Sequence, residues 1–257
     1  MWSHTRSLEL LVLAATVAPA ELIRVATAFG PAAKAAADRG RAARLGLLGA
    51  PAAYLVVTAA ALAVAAEGGF VPDALTGRLP AAFWLPAAAV AGAALVGAEF
   101  AVGAAPRLLA GTGLPRLAVH RDGGPVGGGY AAAVLVTGAA EELLYRGLWI
   151  GVLREGLHLP AGAAVAVAAV AYAVGHLFFG GLAVAQKTLS GVVFGLLMVA
   201  SGSLAVPLTA HLAQNAAVFA LAVRQERGAR QERGARRGRG AGRESAARPA
   251  PGREAAG

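Results

Sequence analysis

Residues Gly128–Leu153 read GGYAAAVLVTGAAEELLYRGLWIGVL, an apolar run broken only by Glu141, Glu142 and Arg146. A bilayer core about 30 Å thick takes roughly 20 apolar residues of helix, and this run reaches that length with its charges in the middle rather than at its ends. An ionisable side chain at the centre of a membrane helix costs at least about 2.5–3.5 kcal/mol on insertion scales. The same stretch therefore predicts a membrane helix and marks its three charges as functional.

Working outward, five further stretches have the length and polarity of spans: Leu45–Ala66, Leu79–Leu109 with Glu99 and Arg107, Leu159–Val184 with one His, Thr188–Ser203 with no charge, and Leu204–Val223 with only His211. The composition agrees, with 57% hydrophobic and 14% charged residues and a mean hydropathy of +0.61, against roughly 25% charged in a typical soluble domain. The predicted fold is all-α, a polytopic transmembrane helix bundle of six spans. Ser7–Phe29 is a seventh candidate, interrupted by Glu9, Pro19, Glu21 and Arg24 and equally suited to lie along the interface as an amphipathic helix.

Other features exclude whole classes. The chain has no cysteine, so a disulfide framework, a thiolate metal site and a Cys nucleophile are all ruled out. The first 20 residues have a basic residue and an apolar run in the manner of a signal peptide, but Glu9 breaks the run and the segment reads as retained. The net charge of +9 is concentrated near the end: 10 of the 23 Lys and Arg residues lie between Arg224 and Arg253, around a direct repeat of QERGAR at Gln225–Arg230 and Gln231–Arg236. Such a segment reads as a disordered tail attracted to anionic headgroups, with no specific nucleic-acid partner. Three regions follow: residues 1–125 with membrane helices and basic loops, 126–223 as the core that carries the chemistry, and 224–257 as the tail. Six spans put Lys34–Arg44, Arg107–Arg121, Lys187 and the tail on one side of the membrane, which the positive-inside rule makes cytoplasmic, whereas the likeness described below implies a cytoplasmic Val152–Pro160 loop, so the orientation stays open.

The chemistry-bearing residues fall into three clusters, each in its own apolar segment. In the first, Glu142 and Arg146 are one helical turn apart and form an ion pair that lowers the cost of both, while Glu141 has no Lys or Arg at i+3 or i+4. A carboxylate left over in a poorly solvated site suits a general base acting on water. The second places Tyr172 and His176 at i, i+4, and the third places His211 and Asn215 at the same spacing. Singly, a membrane His or Asn is as well explained by hydrogen bonding between helices. Three such clusters, in order, favour a site.

The pattern EExxxR (Glu141–Arg146), an aromatic followed four residues later by His (Tyr172, His176), and HxxxN (His211–Asn215) resembles the CAAX-protease and bacteriocin-processing family, also called the ABI family, of type II CAAX prenyl endopeptidase-like membrane proteins. The phrases EELLYRGLWIG (Glu141–Gly151) and GSLAVPLTAHLAQN (Gly202–Asn215) are similar to those around the family's first and third motifs, and the likeness spans about Tyr130–Val223. Tyr145 and Tyr172 stand where Phe is commoner. The resemblance implies an intramembrane endopeptidase acting on a membrane-associated peptide or protein. In it Glu141 and His176 activate water, His211 and Asn215 stabilise the oxyanion, and Glu142 and Arg146, with Tyr172, support the site. It further implies prenyl-protein processing or bacteriocin maturation. The composition resembles that of a high-GC bacterium, which favours a multi-pass place in a bacterial plasma membrane, and peptide maturation or regulated proteolysis over prenylated substrates.

Glu141, His176 and His211 also make a plausible catalytic zinc set with an open fourth position, although no HExxH motif is present. Glu99 reads as a helix-pairing or interfacial residue, and Gly191 and Gly195, four apart, as a site of close helix packing. The same buried polar residues would serve a proton- or cation-coupled transporter, or persist in a catalytically silent scaffold. Internal repeats expected of a transporter are not seen between the halves, and no principal motif residue is missing.

Overall fold

A computed structural model describes residues 4–17, 19, 39–67, 79–114 and 127–246. Among these every regular element is helical. The helices are α1 (His4–Ala15), α2 (Arg39–Glu67), α3 (Trp84–Leu109), α4 (Gly128–Glu142), α5 (Ala161–Val174), α6 (Gly181–Ser201) and α7 (Ala205–Ala246). Beyond α4 the chain stays helical through two π-helical turns, Leu143–Trp149 and Val152–Gly156.

Among the described residues three helices are long and apolar enough to cross a membrane: α3, α6 and the Ala205–Ala229 part of α7. The other expected spans are shorter or interrupted among the described residues, each with a local feature. Leu159–Val184 does not continue as one helix, because α5 stops at Val174 and a 3-10 turn, Leu177–Phe179, leads to Gly180 at φ +94°, a conformation open to glycine. At 14 residues α5 is about 21 Å long, short of a bilayer core. The break therefore falls at Gly175–Gly180 and not near Lys187, which lies inside α6. In α2 the apolar part is Pro51–Glu67, 17 residues at most. The run Gly128–Leu153 is helical throughout but changes winding at Leu143. Of Ser7–Phe29, only α1 and a turn at Thr16 are described as far as Val17, with Pro19 beyond; residues 18 and 20–29 lie outside the described residues. At the other end, α7 runs on to Ala246 through the segment expected to be a disordered tail. Its Ala, Arg, Gln and Glu are strong helix formers. Residues 247–257 lie outside the described residues.

Small residues set how the helices meet. Where lipid replaces water there is little hydrophobic drive between helices, and close backbone approach supplies the contact. α3 packs along α7, and α5 along α6. A Cβ added to Gly92 in α3 would collide with the Ala210 carbonyl of α7. On α6, Cβ atoms at Gly191 and Gly195 would come within 3.0 Å of Ala169 and 2.8 Å of Val165, so the expected close packing at these glycines is present. α6 ends on Gly202, left-handed at φ 64°, whose N–H donates to Met198 O at 2.9 Å. This turns the chain back into α7. Gly92→Val is expected to destabilise the protein by about 1–3 kcal/mol, the usual effect of overpacking, read as a lowered thermal midpoint in detergent.

A second core lies around the first π turn. Tyr54 of α2, Tyr145, Leu148 and Trp149 of the turn, Tyr172 of α5 and Val12 and Leu13 of α1 are all buried there. The Tyr145 hydroxyl donates to Val17 O at 3.0 Å, and Trp149 Nε1 donates to Thr16 Oγ1 at 3.0 Å. The N-terminal helix is thus tied to the segment that carries the first motif.

Candidate active site

The first and third motifs are brought together by one face of α4. Tyr130, Val134, Gly138 and Glu142 recur every fourth residue, so they line one side of that helix. They meet α7 in antiparallel order. The Tyr130 and Phe219 rings stack with centroids 6.5 Å apart, Asn215 Nδ2 donates to Val134 O at 3.3 Å, and His211 Nδ1 meets Glu142 Oε1 at 2.7 Å. Between them Gly138 leaves room. A Cβ there would stand 2.7 Å from Asn215 Nδ2 and 3.4 Å from His211 Nε2.

Glu142 is wholly buried, and its Oε1 accepts from both His211 and Arg146 Nη1, the latter at 2.9 Å. The i, i+4 ion pair expected from the sequence is therefore present, and it survives the π winding that begins at Leu143. Arg146 is itself 1% exposed. Its Nη2 donates to Gly191 O at 3.2 Å, and its guanidinium lies 4.6 Å from the Tyr172 ring centroid and 5.2 Å from that of Phe194. Salt bridge, carbonyl and two aromatic faces together hold a cation that could not be buried alone.

Because a carboxylate only accepts, His211 Nδ1 carries the proton in its bond to Glu142, which turns Nε2 toward the reacting side. Nε2 lies 3.7 Å from Glu141 Oε2, too far for a direct hydrogen bond but close enough for one water to bond both. The imidazole is fixed from its face as well, stacked on Phe194 with centroids 5.0 Å apart. Tyr172 presents its ring between the two histidines, 5.0 Å from His176 and 6.1 Å from His211. His176 sits just beyond the end of α5, at φ −110°, rather than within a helix. Its Nδ1 contacts Tyr172 O at 3.2 Å, and since a carbonyl only accepts, that nitrogen is the donor and Nε2 the acceptor.

Among the described residues no three His, Cys, Asp or Glu side chains are gathered so as to hold a metal ion. Glu99 does pair helices. Lys187 Nζ contacts its two carboxylate oxygens at 2.9 and 3.2 Å, and Gln186 Nε2 donates to its backbone oxygen at 2.6 Å.

Residues 127–217 match the family model described as type II CAAX prenyl endopeptidase Rce1-like. This segment is similar to that family. It takes in just over a third of the chain and all three motifs. No curated protein and no solved structure matches the chain. The match agrees with the family suggested by the motifs, and the apolar helices agree with a multi-pass, membrane-embedded protein. Within and beyond the matched segment lie site residues that motif spacing did not reveal. Phe194, Gly138 and the Gly191 carbonyl have no chemistry of their own to flag them, and Thr16 and Val17 belong to a region without motifs. Only Gly138 carried a usable signal, as the small residue on the Val134–Glu142 face.

Proposed function

We propose that the protein is an intramembrane endopeptidase that hydrolyses a peptide bond of a membrane-associated substrate. The observation that carries this reading is the buried Glu141, Glu142 and His211 constellation, held on α4 and α7 within the Rce1-like segment. Glu141 is 5% exposed and has no Arg or Lys bonded to it among the described residues, so it is the carboxylate available to take a proton from water. His176, whose acceptor nitrogen is Nε2, assists it. A water bonded to Glu141 attacks the scissile carbonyl. Asn215 retains a second N–H beyond the one spent on Val134 O, and His211, as an imidazolium with Nδ1–H given to Glu142, donates from Nε2. These two stabilise the oxyanion. Collapse of the tetrahedral intermediate expels the amine, which takes the proton held by the base.

A transporter built on the same polar residues would move protons or cations without breaking a bond. The protein reconstituted in liposomes with a membrane-inserted peptide library in H2(18)O is expected to yield fragments whose new C-terminal carboxylate carries the heavy oxygen. Ion flux without fragments would favour the transporter. Phenanthroline separates the two forms of the peptidase: a lost rate points to a metal held by Glu141, His176 and His211, and an unchanged rate to a glutamate mechanism without metal.

A further inference from the structure

One buried group in the bundle has no task in the reaction described above. Gln214 is 1% exposed, and neither Nε2 nor Oε1 has a hydrogen-bond partner among the described residues. An amide with two donors and an acceptor rarely goes unpaired in a folded interior. At about 100° per residue, Gln214 lies on α7 about 40° round from Ala210 and about 60° from His211. Ala210 marks the side facing α3 at Gly92, and His211 marks the side facing Glu142. Gln214 therefore points between them, into the interior beside the site.

Its level can be placed too. Glu99 meets Lys187, whereas four residues further along α3 a Cβ at Gly103 would meet Gln186 and Leu182. α3 and α6 thus run antiparallel, and the tight turn at Gly202 makes α6 and α7 antiparallel, so α3 and α7 run parallel. One turn beyond the Ala210–Gly92 contact, Gln214 falls level with the α3 turn between Gly92 and Glu99. Along the bundle the carboxamide thus lies between the level of His211 and that of the Glu99–Lys187 pair.

We propose that Gln214 is a substrate-binding residue whose carboxamide takes a backbone peptide group of the substrate next to the scissile bond. A carboxamide presents a donor and an acceptor side by side, the complement of a peptide N–H and C=O. Side chains at i and i+3 of a helix are about 5–6 Å apart, and an extended chain advances about 3.3–3.6 Å per residue. A scissile carbonyl held at His211 and Asn215 thus brings an adjacent peptide group to Gln214. The inference rests on the peptidase reading.

The test takes one membrane-inserted peptide that the wild type cleaves and a series bearing a single N-methylated amide at each position flanking the cut. Gln214→Leu is expected to lower kcat/KM about tenfold to a hundredfold, the effect of leaving a hydrogen-bonding group unmatched. The loss should appear in KM, with the thermal midpoint unchanged or raised because an unpaired amide has been removed. One N-methylated peptide should lose a similar factor with the wild type and little more with Gln214→Leu. Wild-type kinetics in Gln214→Leu would overturn the inference while leaving the peptidase reading intact. So would full additivity of N-methylation and the substitution, which would mean that the amide holds water rather than peptide. If Gln214→Leu folds poorly, Gln214→Met replaces it, and a wild type indifferent to N-methylation at every position overturns the proposal. A wild type that cleaves no peptide, as Glu141→Gln should not, overturns both readings together.

Discussion

Arg146→Met is expected to destabilise the protein by about 3–5 kcal/mol, the usual result of removing one partner of a buried ion pair, and to abolish peptide hydrolysis. The side chain is 1% exposed and joins four neighbours: Glu142, the Gly191 carbonyl, and the rings of Tyr172 and Phe194. Met fills much of the same volume, so the loss is electrostatic rather than a matter of packing. Without the guanidinium, Glu142 faces apolar surroundings with only His211 on its Oε1, and the Gly191 carbonyl loses a donor. Thermal unfolding in detergent, followed with the wild type alongside, reads the effect. A midpoint unchanged from wild type would mean that the pair contributes nothing to the fold.

Glu142→Gln is expected to leave the fold largely intact and lower hydrolysis by roughly 10²–10⁴-fold, by analogy with loss of the orienting carboxylate in a hydrolase triad. Both bonds to His211 and Arg146 fall on Oε1, while Oε2 has no partner among the described residues. The amide nitrogen can therefore occupy the Oε2 position, with the remaining oxygen still accepting both bonds. What disappears is the negative charge behind His211, and with it the support for an imidazolium facing the oxyanion. Arg146→Met and Glu142→Gln thus separate the two tasks of one carboxylate, one read by stability and the other by kcat.

The Glu142–Arg146 pair was legible in the sequence because a turn of helix fixes i, i+4 neighbours whatever surrounds them. The meeting of the first and third motifs was legible only as an expectation from family likeness. Its physical basis, the Tyr130–Val134–Gly138–Glu142 face, becomes visible once α7 is seen to run antiparallel to it. The π turn after Glu142 has no periodic signature in a segment this uniformly apolar, so the change of winding at Leu143 could not be read. The break between α5 and α6 was misplaced for a related reason. Lys187 looked like a loop charge, yet Glu99 of α3 pairs with it inside the bundle, while Gly180 and Gly181 passed for two more small residues of a span. The docking of Thr16 and Val17 on Trp149 and Tyr145 joins residues more than a hundred positions apart, beyond any local pattern.

The most direct test of the account compares wild type and Glu141→Gln, each reconstituted in liposomes with the same membrane-inserted peptides and checked for equal thermal midpoints. The account predicts cleavage by the wild type and a fall of about 10²–10⁴-fold in Glu141→Gln, the range expected for loss of a general base. Cleavage that survives Glu141→Gln at the wild-type rate would contradict it.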